Sequence, residues 1–247
     1  MNRKLEICCY SPESAIAAEE AGADRIELCD NYSEGGTTPS YAAIKYTTNR
    51  LNIPVNVIIR PRGGDFLYSE VEFEIIKQDI ISFENIGVNG IVIGLLLPNG
   101  DIDIGRLKEI ISISKNMEIT FHRAFDMCNN QLKALEELKE LGVKRILTSG
   151  ARNTTTEGID LIKELVLRAD NKIIIMPASG INDDNIQEIM LKTNALEFHS
   201  SAKVFIGSNM EYHNKNISMG KNDNNEFRKI TVNKNMIKRM KSIIDKK

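Results

Sequence analysis

Two cysteines of this 247-residue chain stand where a soft metal ion could be held. Cys8 ends the run LEIC at residues 5–8, and Cys29 ends the run RIELC at residues 25–29. Neighbouring strands of a sheet lie about 4.8 Å apart, so two inward side chains at similar height can meet. Thiolate sulfur selects soft ions such as copper(I). The alternative is that both thiols are simply small buried side chains, as free cysteine often is.

A second group of side chains has the chemistry to bind an anion or to move a proton. Arg60 and Arg62 precede the flexible pair Gly63-Gly64, and their guanidinium groups could clamp a carboxylate or a phosphate. Salt bridges from these arginines to Asp65 or Asp126 are the alternative. The remaining candidates are His122 and Glu27 as acid or base, and Ser149, Gly180 and His199 as ligand-binding residues.

These residues are carried by short apolar runs that alternate with amphipathic segments. Eight such runs, each followed by a helical pattern, are typical of βα units, and eight units in one chain favour a closed barrel. We therefore predict an α/β fold: a single TIM (β/α)8 barrel. The predicted strands are Leu5–Cys9, Arg25–Cys29, Val55–Arg60, Gly90–Leu95, Glu118–His122, Arg145–Ser149, Ile173–Met176 and Ala195–His199.

The turns and the C-terminal part of the chain fit this plan. Segments 19–28, 84–93 and 139–148 each run from a helix end through a glycine into a strand, which predicts left-handed C-caps at Gly22, Gly87 and Gly142. We expect one domain over residues 1–247 with a barrel core at about 4–204. The remainder, 205–247, would hold a polar loop at about 207–225 and a closing helix at about 233–245.

The alternation of side chains along each strand predicts which residues face the barrel interior. Helix-facing positions must be apolar, so polar residues mark the interior. Glu6, Glu27, Glu197 and His122 are expected inside. For Glu6, Arg25 and Arg145 we favour a structural ion-pair network, because buried charge is costly unless it is paired. Sites of barrel enzymes lie at the carboxyl ends of the strands. The residues expected to pack under the helices are Ile7, Ile26, Phe121 and Phe198.

Composition excludes several classes of function. A net charge of −2 gives no electrostatic footprint for nucleic acid. The N-terminus lacks the apolar core of a signal peptide, and no apolar run is long enough to span a bilayer. The four cysteines are too few to form a disulfide framework, and we interpret them as free thiols in a reducing compartment. We therefore expect a cytoplasmic protein that binds neither nucleic acid nor membrane.

Several segments together resemble the CutC family of copper homeostasis proteins. The resemblance implies a TIM barrel, a cytosolic location, a homo-oligomer and copper handling without an organic cofactor. It also implies copper(I) binding at Cys8 and Cys29, whereas Cys9 and Cys128 match no expected ligand. The segments that carry it are LEICCYSPESA, GADRIELCDNYSEGGTTPS, PVNVIIRPRGGDFLYS, ITFHRAFD, KRILTSGA, IIIMPASGI and EFHSSA.

Two functions remain open on the sequence, beside a structural or interaction role. The first is copper(I) binding in metal homeostasis. The second is a barrel enzyme acting on a small anionic metabolite, phosphorylated or carboxylated, with His122 or Glu27 as acid or base. In that case Arg60, Arg62 and His122 would border the main pocket, with the arginines as anchors. A group of His, Glu and Arg side chains is more than two thiolates require, which favours the enzyme.

Overall fold

The computed structural model describes residues 3–214, 216–217 and 226–246. Eight parallel strands form a nearly closed barrel in which β1 pairs with both β2 and β8, and β7 lies beside β8. The predicted (β/α)8 fold is thus confirmed, with strand ends shifted by one or two residues in most cases. The strands are β1 (Lys4–Cys9), β2 (Arg25–Leu28), β3 (Val55–Ile58), β4 (Gly90–Ile93), β5 (Glu118–Phe121), β6 (Arg145–Thr148), β7 (Ile174–Pro177) and β8 (Glu197–Ser200).

The helices surround the barrel, and six of the eight given below start at a side-chain cap. At the start of the third helix, Ser69 and Glu72 form a reciprocal capping box, which satisfies two main-chain N–H groups. The helices are α1 (Pro12–Glu20), α2 (Tyr41–Arg50), α3 (Glu70–Ile86), α4 (Ile104–Ser114), α5 (Gln131–Glu140), α6 (Ile159–Ala169), α7 (Ile186–Thr193) and α8 (Lys234–Asp245). Among the described helices, none has the length and apolar character needed to cross a bilayer.

The predicted turn glycines adopt the left-handed conformation. The φ angles of Gly22, Gly87 and Gly142 are 97°, 85° and 73°. Each lies between a helix and the following strand, where a side chain would be strained. The repeated helix, glycine, strand pattern therefore reflects a backbone requirement of the barrel.

The C-terminal part contains a hairpin that the sequence patterns did not predict. Strands β9 (Lys203–Gly207) and β10 (Arg228–Val232) pair antiparallel outside the barrel. The predicted closing helix is confirmed as α8. Within the predicted polar loop at 207–225, residues 208–214 and 216–217 have neither helix nor strand, and residues 215 and 218–225 lie outside the described residues. The hairpin escaped prediction because much of it is exposed and its residues show no clear apolar alternation.

The interior assignment from strand alternation is confirmed. Ile7, Ile26, Phe121 and Phe198 are fully buried in the large core between strands and helices, and Cys9 belongs to the same core. A separate buried cluster inside the barrel is formed by Cys8, Cys29, Ile58 and Val92. The polar residues predicted for the interior, Glu6, Glu27, Glu197 and His122, are all at most 5% exposed.

An ionic cluster lies in the barrel below the cysteines. The guanidinium of Arg25 binds the carboxylates of Glu6 and Glu197, the latter at 2.6 Å. Arg145 donates to Glu197 at 2.7 Å and to Glu118 at 2.6 Å. Burial alone would raise the pKa of Glu197, but the charges of Arg25 and Arg145 hold that pKa below its usual value. The predicted ion-pair network is therefore present, and it favours the charged forms of Glu6 and Glu197 in the interior.

Removing the central cation of this cluster should destabilise the fold strongly. In Arg25→Met, the carboxylates of Glu6 and Glu197 lose a buried partner, and breaking a buried ion pair typically costs about 3–5 kcal/mol. The measurement is the free energy of unfolding in urea at neutral pH. The control is Arg168→Met, which breaks the exposed pair with Glu164 and should change stability little. Similar losses in the two variants would contradict a structural role for the cluster.

Candidate functional site

A cavity of about 480 Å³ opens at the carboxyl ends of the strands. Its lining comes from residues at or just beyond the ends of β1, β2, β3, β5, β7 and β8, so it occupies the position where barrel proteins build their sites. Among the predicted site residues, those that line it are Cys8, Glu27, Cys29, Arg60, His122, Gly180 and His199.

The two predicted thiols meet in one wall of this cavity. The Sγ atoms of Cys8 and Cys29 are 3.5 Å apart, and both residues are buried. Cys8 lies opposite Glu27 in the β1–β2 register, and Cys29 directly follows β2. The barrel strands therefore place two sulfur atoms and one carboxylate side by side.

A hydrogen-bonded chain runs from the ionic cluster to the thiols through His199. Its Nδ1 contacts Glu6 Oε1 at 2.7 Å, and its Nε2 lies 3.5 Å from Glu27 Oε2. Burial opposes a charged imidazole, but hydrogen bonds to Cys8 and Glu6 raise the pKa of His199 well above its usual value. His199 is therefore held as an imidazolium beside the cysteines.

The same contacts separate the proton affinities of the neighbouring groups. The hydrogen bond from Cys29, followed by that from His199, lowers the pKa of Cys8 well below its usual value despite burial. Burial, followed by the interaction with Cys8, raises the pKa of both Cys29 and Glu27. The wall thus combines one thiol of lowered pKa with a thiol and a carboxyl group of raised pKa, beside the imidazole of His199.

This wall has the donor set of a soft-metal site. Two groups of three residues have ligand atoms within 4.8 Å of one another. The first is Cys8, Glu27 and Cys29, and the second is Glu6, Glu27 and His199. Two sulfur donors suit copper(I), which prefers soft ligands, whereas the carboxylates alone would suit harder ions. The sulfur-containing group is the better candidate because Glu6 is already bound by Arg25 and His199.

Arg60 and His122 lie together in a second wall of the cavity. Arg60 Cζ is 5.2 Å from the ring centroid of Phe66, and that ring is 4.8 Å from the ring of His122. Burial, followed by the charge of Arg60, lowers the pKa of His122 to about 3, so its imidazole is neutral. His122 Nδ1 accepts a hydrogen bond from the main-chain N–H of Ala124 at 3.1 Å.

Two predicted binding residues, Arg62 and Ser149, do not line the cavity. The expectation that Arg62 borders it is therefore wrong. Arg62 lies in the loop beyond β3, where its guanidinium binds Glu72 at 2.5 Å and Asp65 at 3.0 Å. Ser149 donates to a carboxylate oxygen of Asp126 at 2.9 Å. Both side chains therefore organise loops at the rim, which is the alternative that the sequence left open for Arg62.

The lining also includes residues that were not selected from the sequence, among them Tyr10, Phe66 and Lys203. Tyr10 lies two positions after Cys8 and so on the same side of the chain, which strand alternation would have indicated. Burial, followed by the interaction with Cys8, raises the pKa of Tyr10. Lys203 is the first residue of β9, and its Nζ donates to the hydroxyl of Tyr32 at 2.5 Å.

The thiols should differ in their reaction with iodoacetamide near neutral pH. Cys8 should react first, because the thiolate is the reactive form and its pKa is lowered. Burial raises the pKa of Cys9, and burial raises that of Cys128 to about 12. Peptide mass spectrometry over time measures each rate. His199→Gln should slow the alkylation of Cys8, whereas the control His213→Gln, at an exposed position, should leave that rate unchanged. Equal alkylation rates at all four cysteines would contradict this account.

Comparison with known proteins agrees with the fold. The model of the CutC family matches residues 3–204. A CutC family protein of Parabacteroides distasonis is 47% identical over 241 residues, covering 96% of this chain and 99% of that protein. One from Erwinia tasmaniensis is 43% identical over 243 residues, covering 98% and 96%. The crystal structure of a Streptococcus agalactiae CutC protein is 35% identical with a TM-score of 0.77, covering 81% of this chain and 98% of that one. The chain therefore belongs to the CutC family.

Proposed function

We propose that this protein binds copper(I) through Cys8 and Cys29 and serves copper homeostasis. The observation that carries the proposal is the pair of sulfur atoms 3.5 Å apart in the cavity wall. Two thiolates are sufficient donors for a soft, low-coordinate ion. The name of the Streptococcus agalactiae relative assigns that protein to copper homeostasis, which supports the same role here.

The surroundings of the sulfur pair favour an ion of low charge. Two thiolates and copper(I) together carry one negative charge, and the neighbouring His199 imidazolium compensates for it. Burial raises the pKa of Glu27, which disfavours the carboxylate and so weakens its attraction for a hard divalent cation. Binding releases the proton of Cys29, which makes the affinity for copper(I) rise with pH.

The location and assembly state that we expected from the resemblance are part of the proposal. A cytoplasmic location would keep the thiols reduced and able to bind metal. We also propose that the chain forms a homo-oligomer. Light scattering of the purified protein and fractionation of cells test these two points.

Copper(I) titration under reducing, oxygen-free conditions tests the metal site. The wild-type protein should take one copper(I) per chain in competition with a chromophoric chelator. Cys8→Ser and Cys29→Ser should each lose this binding, because a hydroxyl is a hard and weaker ligand for copper(I).

Cys9→Ser is the matched control, since Cys9 is a neighbouring buried thiol that belongs to the core under the helices. It should bind copper(I) like the wild type if it remains folded, and circular dichroism checks this. Equal affinity in all four proteins would mean that these cysteines only fill space.

A further inference from the structure

Arg60 places a positive charge in the cavity wall without forming an ion pair in the described part of the chain. Its residue is 7% exposed, and its terminal nitrogens donate to the main-chain oxygens of Glu34 at 2.5 Å, Gly36 at 2.9 Å and Gly64 at 2.6 Å. These contacts hold the guanidinium but supply no counter-charge. Its Nε is buried and has no hydrogen-bond partner among the described residues. A buried charge in this situation is costly.

His122 presents a second unused donor in the same wall. Because its Nδ1 accepts the N–H of Ala124, the neutral ring carries its proton on Nε2. This Nε2 is buried, and no hydrogen-bond partner is found for it within the described residues. His122 is 5% exposed. Buried donors are nearly always paired, so an unpaired one indicates a missing acceptor.

Arg60 and His122 lie beside the same aromatic ring. The ring of Phe66 lies against both the Arg60 guanidinium and the His122 imidazole. The charge of Arg60 also contributes to the lowered pKa of His122. Both nitrogens are covered, and Phe66 is the half-buried side chain beside them, at the end of a loop that contains Gly63-Gly64. The side chains of Arg60, Phe66 and His122 all line the cavity.

We propose that Arg60 and His122 bind the carboxylate of a small metabolite in the cavity that also contains the thiol pair. A carboxylate has two oxygens and one charge, which match the two unused N–H groups and the one guanidinium charge. A phosphate dianion has three terminal oxygens and more charge than this wall can balance. The cavity volume of about 480 Å³ is in the usual range for small-molecule sites. The site goes beyond copper binding and needs neither cysteine.

The wild-type protein labelled with ¹⁵N-histidine provides the first test, with a copper chelator present throughout. The chain has three histidines, so the His122 signal can be assigned by substitution. Acetate, pyruvate and succinate are the probes, and inorganic phosphate is the comparison ion. A carboxylate should shift the Nε2–H resonance of His122 by forming a hydrogen bond to it.

Calorimetry of the best-bound probe tests the residues. His122→Phe and Arg60→Lys should each weaken affinity about tenfold or more, as expected for loss of a hydrogen bond to a charged group. The matched controls are His213→Phe at an exposed position and Arg62→Lys outside the cavity, and both should bind like the wild type. Cys8→Ser should also retain carboxylate binding, which separates this site from the copper proposal.

Three results would overturn the proposal. The first is that none of the three carboxylates shifts the His122 resonance. The second is equal weakening by the cavity variants and their controls. The third is that phosphate binds more tightly than every carboxylate while depending on the same two residues. If a cavity variant fails to fold, the wild-type resonance alone decides.

Discussion

The site depends on one buried carboxylate, Glu6, which belongs to two networks at once. One oxygen binds the Arg25 guanidinium of the ionic cluster, and the other binds His199 Nδ1 at 2.7 Å. Burial would raise the pKa of Glu6, but Arg25 and His199 hold it well below its usual range. The charge of Glu6 in turn orients His199 and stabilises its imidazolium. The properties of the thiol pair therefore depend on the barrel interior beneath it.

The cavity above this cluster has two walls with different chemistry. The wall formed by Cys8, Cys29, Glu27 and His199 has soft sulfur donors and a compensating imidazolium. The wall formed by Arg60 and His122 has N–H donors and a positive charge that forms no ion pair with the described residues. A hard anion and a soft cation would thus be held by different residues of one cavity. This separation would account for the histidine and arginine side chains of the cavity, which a copper(I) site of two thiolates does not need.

Much of the interior was predictable because strand geometry is strict. Alternation along β1 placed Glu6 and Cys8 inside and Cys9 under the helices, and the structure agrees. Prediction was mixed for residues that follow the strand ends, since Arg60 and His122 line the cavity but Arg62 and Ser149 do not. Arg62 appeared equivalent to Arg60 by type and spacing, but the loop turns it toward Asp65 and the cap of α3. Loop direction is set by local hydrogen bonds that no periodic pattern reports.

The sequence by itself determined the number of barrel strands, their inward faces and the family, because apolar alternation and long ordered motifs are local properties. Only the tertiary structure decided which polar groups meet. Closure of the barrel brings β8 beside β1, so Glu6 and His199 form a contact across 193 residues of chain. The tertiary structure also set the proton affinities, since burial lowers the pKa of His122, whereas hydrogen bonds to Cys8 and Glu6 raise that of His199 despite burial. Identical side chains acquired opposite roles because their surroundings differ, and those surroundings exist only in the folded barrel.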